Sequence, residues 1–495
     1  MRGMSRYALV CMIVAAACGG TQGPTGPEPE PIEPMFAVRL VPAAGVSGEQ
    51  IVNFAIPLRP GYLMDAELVR VAHGGVSLAA SRVPLARYAD GSLVSVQVQV
   101  AVEIAGESML EVEIGEAGGG TRSAVPVEDT LVGADETPRV WAVLPAEWLA
   151  ASGVFGPLVA RSAIAGTALD AWASVCDYER WDTEAFLAGM SSREVWLFDR
   201  VTAMYRGYAI TGEAGPLESG YREAGIYRRG VTGEDEATRI GVPGAADDLK
   251  YHYTQGLAFH YLMTGDGRYR EAAENVAVRA HGLWTDPGYG GGDDFWTERH
   301  AGFALLAYEY AALVSDDRAA MFAGWAATAV GAYLDVQEGF PSSWTDRDAR
   351  CFGHSATAHG EPYGYDGCSP WMSAILADGL EAHARRVGGA AAERVRAGLV
   401  KLGRIIARDG RDGTGRPYYW MGLGRAGEVD EFDEHWGESA YLVAMAWFYD
   451  GRDDAGLRTA ADELVTGLRE RGEAGQVRSF NWQCRAAVQA PAYLR

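Results

Sequence analysis

Lysine is almost missing from this sequence: Lys250 and Lys401 are the only two in 495 residues, and arginine carries the remaining basic charge. That bias belongs to the coding of the chain and decides nothing about its role. Basic charge of either kind is also short. The chain has 43 basic against 66 acidic residues, a formal net charge of -23. A surface of that sign excludes the basic footprint that nucleic acid requires and disfavours a peripheral site on anionic lipid. No Walker motif is present, and no Gly-x-Ser-x-Gly elbow stands in a strand-turn-helix context, so neither phosphate-loop nor serine-hydrolase chemistry is indicated. The six cysteines match no zinc spacing.

Hydrophobic content of 48% and charged content of 22% are ordinary for a globular protein. A chain of this length makes two or three domains with a large core, which does not depend on disulfides. At the N-terminus, Arg2 and Arg6 precede an apolar run from Tyr7 to Ala17, followed by Cys18-Gly19-Gly20. The order charged, apolar, small is that of a signal peptide, and the run is too short for a permanent membrane helix. Val14-Ala15-Ala16-Ala17 before Cys18 resembles a bacterial lipobox, with Ala15 where leucine is preferred. The expectation is a signal at residues 1–17, lipid attachment at Cys18 and a place in the cell envelope facing the periplasm or the exterior. A plain secretory signal cut nearby is the alternative. Residues 18–35, rich in Pro and Glu, read as a stiff solvated tether.

Four cysteines remain, Cys176, Cys351, Cys368 and Cys484. Cys351 and Cys368 flank one loop and are the favoured disulfide. Cys176 with Cys484 would tie the start of the helical region to its end. Sequence alone leaves the pairing open.

Residues 36–150 have strand texture. Val94 to Val100 places Val on one face and Ser or Gln on the other, and Phe36–Val41 and Met109–Ile114 alternate similarly. Period two with β-branched residues predicts half-buried strands, and Asp90-Gly91 and Gly74-Gly75 supply hairpin turns. The fold class expected here is a small barrel or sandwich. The stretches Ile56-Pro57-Leu58-Arg59-Pro60-Gly61, Leu68-Val69-Arg70-Val71 and Val83-Pro84-Leu85-Ala86-Arg87-Tyr88-Ala89-Asp90-Gly91-Ser92 resemble the N-terminal RIFT-type barrel of the rhamnogalacturonan exolyase-like family, with Tyr88 where that family usually has Trp. The resemblance covers roughly residues 50 to 100. It implies that a helical toroid holding the active site follows the barrel.

Residues 151–495 read as amphipathic helices in hairpins, giving a multidomain α+β chain. Turns fall at Thr211-Gly212, Thr264-Gly265, Ser315-Asp316, Gly388-Gly389 and Asp450-Gly451. Five to six hairpins closing on themselves make an (α/α) toroid; the rival is an open helical array. Ser162 to Arg180, or the tail from Ser479, is expected to supply the missing helices. Short turns gather at one end, and the long connections Gly230 to Ala246, Trp284 to Phe295, Gly339 to Cys368 and Asp409 to Glu434 gather at the other. Long loops of this kind carry function.

Those connections hold four polar and aromatic clusters. Asp248, Tyr251 and His252 belong to the first, with Asp248 and His252 spaced for one helical face. The second holds Glu298, Arg299 and His300, the third His354, His359, Glu361, Tyr363, Tyr365 and Trp371, and the fourth Tyr419, Glu434, His435 and Trp436. Aromatic faces suit sugar rings, and carboxylates and arginine suit hydroxyls. An acidic polysaccharide or oligosaccharide is therefore the expected ligand of a single-copy protein. In a uronate lyase a cation neutralises the carboxylate, a His or Tyr removes the C5 proton and a Tyr protonates the leaving oxygen. His300, Arg299, Tyr363, His354, His359 and Tyr251 are the candidates for these roles. A glycosidase would use paired carboxylates from Asp248, Glu298, Glu361 and Glu434. A glycan-binding lipoprotein without catalysis is the third class. Each cluster also has a plain packing reading: His300 starts a core-facing stripe, and Trp371 and Trp436 suit a core. No cofactor is expected, and a divalent cation has no motif behind it.

Overall fold

The computed structural model describes residues 26–28, 30–244, 247–283, 297–355, 363–429, 435–472 and 474–495. Its N-terminal part is built of antiparallel strands. One sheet runs β10 (Val140–Val143), β1 (Met35–Pro42), β7 (Ser108–Ile114), β3 (Val69–His73) and β4 (Val76–Ser77). A second runs β2 (Gly48–Pro57), β6 (Leu93–Ile104) and β5 (Ala80–Arg87), and a small pair joins β8 (Leu131–Val132) to β9 (Thr137–Pro138). Gly74 and Gly75 both have positive φ, 58° and 78°, which a two-residue hairpin requires and L side chains resist.

The alternation in β6 does not mark a solvent face. Ser95, Gln97 and Gln99 are as buried as the valines between them. Gln99 pairs with Asn53 and the Val125 backbone, while Ser95 and Gln97 reach the helix α6 (Thr254–Thr264), whose last carbonyls have no partner within the helix. Ser95 Oγ donates to Leu262 O at 2.7 Å, Gln97 Nε2 to Thr264 O at 3.1 Å, and Asn53 Nδ2 to Thr264 O at 2.9 Å. The half-buried strand expected at Val94–Val100 is thus buried on both faces, because its polar side caps a helix. The β-sheets and the helices share one hydrophobic core, which runs from Val38 to Leu494.

Short helices, α1 (Ala146–Ser152), α2 (Trp172–Val175) and α3 (Thr183–Gly189), lead into five helical hairpins among the described residues. These pair α4 (Arg200–Thr211) with α5 (Ala214–Gly230), α6 with α7 (Gly267–Leu283), α8 (Glu298–Val314) with α9 (Ala319–Gly339), α10 (Pro370–Val387) with α11 (Gly389–Asp409), and α12 (Trp436–Tyr449) with α13 (Ala455–Arg471). The first helix of each pair is buried almost all round; the second buries one stripe, such as Phe322, Ala326, Ala329, Val330 and Tyr333 in α9. Helix α9 is long and apolar enough to cross a membrane by length and composition, and here it lies along α8. The buried helices contact one another in order, α4 to α6, α6 to α8, α8 to α10 and α10 to α12. Gly302 lets α8 approach the backbone of α10, since a Cβ there would sit 2.7 Å from Leu376 N.

The tail provides the remaining contacts. Helix α14 (Val477–Arg485) packs on α4, and α15 (Ala490–Leu494) packs on α12, so the tail touches both the first and the last of the buried series. Cys176 pairs with Cys484 and Cys351 with Cys368. The first disulfide holds this tail to the segment before α3. Deep inside, Asp378 of α10 receives Arg206 of α4 at 2.9 and 3.1 Å and Arg485 of α14 at 3.2 Å, all three residues buried. Gln255 of α6 accepts from Arg485 at 2.7 Å. One carboxylate therefore joins three buried helices.

Candidate functional site

The N-terminal ends of the buried helices and the connections leading into them bring the predicted residues together. Thr297 caps α8, and its hydroxyl lies 2.7 Å from His300 Nδ1. The other ring nitrogen of His300 lies 3.4 Å from Asp248 Oδ1. Asp248 in turn caps the short turn Leu249–Tyr251, accepting from Lys250 N at 3.1 Å, while Lys250 Nζ sits 2.9 Å away. Burial opposes charge on Asp248, but the hydrogen bonds from His300 and Lys250 outweigh it and hold the carboxyl well below the usual range. Burial pushes the His300 imidazole down to about 4, against the pull of Asp248 and with the help of Arg299. His300 is therefore neutral at neutral pH, with Thr297 on one side and Asp248 on the other.

Asp248 and His252 do not share a helical face. The turn at Leu249–Tyr251 gives way to extended backbone at His252 and Tyr253, and α6 begins only at Thr254. His252 reaches Asp247 instead, at 3.1 Å, and Asp247 also takes Arg279 at 2.8 Å. Burial resists the charge on Asp247, and these two partners bring it down to about 2. The i, i+4 spacing failed because Asp248 is used as a cap, which stops one turn of helix before the next one starts.

Arg299 is a further cation of this end, beside Lys250 and Arg279. Its guanidinium lies 5.5 Å from the Trp371 ring, and among the described residues no carboxylate stands within ion-pair distance. Its Nε is buried without a hydrogen-bond partner. Burial lowers its pKa, while Tyr419, Asp248, Tyr253 and Tyr251 nearby work the other way. Tyr251 is itself buried, and burial raises its hydroxyl pKa, with Asp248 adding to the rise.

Around Arg299 the rings form a cluster. Trp371 lies 5.7 Å from both Tyr419 and His435, nearly parallel to the latter, and His435 lies 5.1 Å from Trp482. Phe198 packs edge-on against Trp371 and Trp482 at 5.4 and 5.2 Å. Trp482 joins the cluster from the tail, far from every long connection, and nothing in the sequence alone pointed to it. Glu438 belongs with His435 to the fourth polar and aromatic cluster of the sequence, three residues further on. Its carboxylate is 3.6 Å from His435 Nδ1, 1% exposed, and neither oxygen has a hydrogen-bond partner among the described residues.

The third cluster divides. His354 exchanges backbone hydrogen bonds with Gly367 at 2.7 and 3.0 Å, next to the Cys351–Cys368 disulfide. That pairing sets its Nδ1 2.9 Å from Glu298 Oε2, with both side chains wholly buried. Glu298 Oε1 accepts from Ser369 N at 3.0 Å, so His354 and Glu298 brace the starts of α8 and α10. Tyr363 stacks on Trp420 at 5.5 Å, and Tyr365 lies beneath Arg425 at 3.4 Å, both half-buried. Trp436 points elsewhere: its ring lies against Gly467 of α13 and under Arg471 at 4.8 Å. His359, Glu361 and Glu434 lie outside the described residues.

The ligand types for zinc at Cys351, His354, His359 and Cys368 are not available as thiolates, since both cysteines are in the disulfide. Glu274, Asp316 and Asp317 group their carboxylates within 4.8 Å at a hairpin turn, where Arg318 contacts Glu274 at 2.5 Å and Arg270 contacts Asp316 at 2.6 Å. Arginine already neutralises that group.

Compared with protein-family models, curated proteins and solved structures, the chain matches none.

Proposed function

We propose that this protein is an exported, lipid-anchored polysaccharide lyase that cleaves a uronate-containing glycan by β-elimination. The five hairpins and the tail that touches both ends of the buried series support an (α/α) toroid, and the strands before them support a RIFT-type barrel of the rhamnogalacturonan exolyase-like kind. The observation that carries the reading is Arg299, a half-buried guanidinium with no ion-paired carboxylate among the described residues, set over Trp371 in a cluster of rings. A uronate carboxylate supplies the missing partner, and the rings supply apolar faces for the sugar.

In this scheme Arg299 neutralises the uronate carboxylate and makes the C5 proton more acidic. His435 Nε2 accepts that proton, its Nδ1–H held toward Glu438. The electron pair forms the C4–C5 double bond, the bond from C4 to the glycosidic oxygen breaks, and Tyr419 gives the departing oxygen a proton. His300 serves as a positioning residue, since Thr297 and Asp248 occupy its two nitrogens. His354, buried with Glu298, braces the fold. Hydrolysis would need two carboxylates across the bond. Asp248 and Glu298 are held by a cation and an amide, and Arg299 is placed to take a carboxylate, which favours elimination.

The test is absorbance in the band of an unsaturated uronate, with purified protein and a panel of acidic polysaccharides. Rising absorbance is expected. A flat trace with new reducing ends would replace elimination by hydrolysis, and binding with neither signal would leave a glycan-binding protein.

A further inference from the structure

At the end of the helices opposite the ring cluster lies a cleft of about 490 Å³ between the β-sheets, the helical turns and the N-terminal arm. Arg385, in the last turn of α10, is 14 residues from Trp371 on the same helix, roughly 20 Å along its axis. Arg59, Arg385, Arg452 and Arg495 all line the cleft. In a chain with net charge -23 this concentration of guanidinium groups stands out.

Most arginines of this protein have a carboxylate partner; Arg59, Arg385 and Arg452 have none within ion-pair distance among the described residues. Each is held in place by something else. Arg59 lies over Tyr62 and Arg452 over Phe448, both at 4.9 Å, and Arg385 Nη2 donates to Gly153 O at 2.6 Å. Arg495 alone is paired, with Glu30 of the arm at 2.6 Å, and Glu28 lines the same cleft. Glu381, the remaining acid of the wall, has its carboxylate covered by Tyr449 Oη at 2.6 Å. Beside the charges, the described residues that line the cleft are glycine, proline, serine and aliphatic. Recognition here is of charge, not of a sugar face.

We propose that this cleft is an oxyanion site for a phosphate group, separate from the glycan site and partly filled by the chain's own acidic arm. Three guanidinium groups lining one cleft suit the several oxygens and the charge of about -2 of a phosphomonoester better than a lone carboxylate. The phosphate has two possible sources, a phospholipid headgroup beside the anchored N-terminus or a soluble phosphate ester. Glu28 and Glu30 compete with it.

The test uses the full chain with Cys18→Ser, so that no acyl anchor contributes. Titration calorimetry with inorganic phosphate and sedimentation with phosphatidic acid vesicles, whose headgroup is a phosphomonoester, separate the two sources. Saturable, salt-sensitive binding of phosphate is expected, weakened about tenfold or more in Arg385→Ala/Arg452→Ala, the scale of a lost charge-assisted hydrogen bond. Glu28→Gln/Glu30→Gln should bind more tightly. Binding of vesicles but not of free phosphate, with the same loss in the arginine variant, assigns the site to a headgroup. The proposal falls if neither probe binds, or if the folded arginine variant binds as well as the parent.

Discussion

Glu438 and His435 face each other at 3.6 Å inside a cluster of rings, and among the described residues neither oxygen of Glu438 has a hydrogen-bond partner. A buried carboxylate with so little compensation is costly, so its neighbour must supply what solvent does not. Glu438→Gln keeps the shape and removes the charge. The expected outcome is a loss of turnover on the order of 10²-fold, the scale of a general base left without its orienting group, with a shifted acid limb in the pH–rate profile and an unchanged melting temperature. An unaltered pH profile would remove Glu438 from the mechanism.

Arg299→Ala should separate function from stability. Because no carboxylate among the described residues is ion-paired with this guanidinium, thermal stability should hold or rise slightly on its removal. Turnover of an acidic glycan should fall by about 10²–10³ in kcat/KM. Retained activity together with retained stability would refute its role as the carboxylate partner.

Asp378 should behave in the opposite way. Arg206 and Arg485 converge on it in the buried interior. Asp378→Ala strands two guanidinium groups, and we expect a loss of about 3–5 kcal/mol in urea denaturation. A loss below 1 kcal/mol would show that solvent reaches the site.

Two buried histidines make stability depend on pH. Burial brings His300 to about 4 and His260 to about 3, from an ordinary 6.5. Between those values and 6.5 the unfolded chain binds protons that the folded chain refuses. Stability therefore falls as pH drops from about 6.5 toward 4, by up to about 3 kcal/mol for His300. The depressed carboxyls Asp247 and Asp248 add their own loss only below about 4. Urea midpoints of parent and His260→Gln at pH 7 and pH 4.5 would measure the histidine contribution; a variant with the same pH dependence as the parent would disprove it for that residue.

The gathering of Asp248, Arg299, His300, Trp371, Tyr419 and His435 was legible from chain order, because short hairpin turns force long connections to one end. Their pairings were not. Asp248 met His300 rather than His252 because it caps a turn, and capping depends on where the backbone stops being helical. Trp436 looked equivalent to Trp371, yet it packs outward on Gly467, a difference set by rotation of α12 against α13.

Local pattern determined the elements: period-two strands, five hairpins with their turn residues, and an acidic surface, all of which follow from short-range sterics and from solvent. Tertiary structure decided which polar groups meet. Gln97 carries a surface-like alternation and ends up capping α6, and Trp482 joins the ring cluster from the tail. Such partners are separated by hundreds of residues or by a whole element, and the energy that selects them, satisfying a buried donor or covering a ring, exists only once the chain has closed around it.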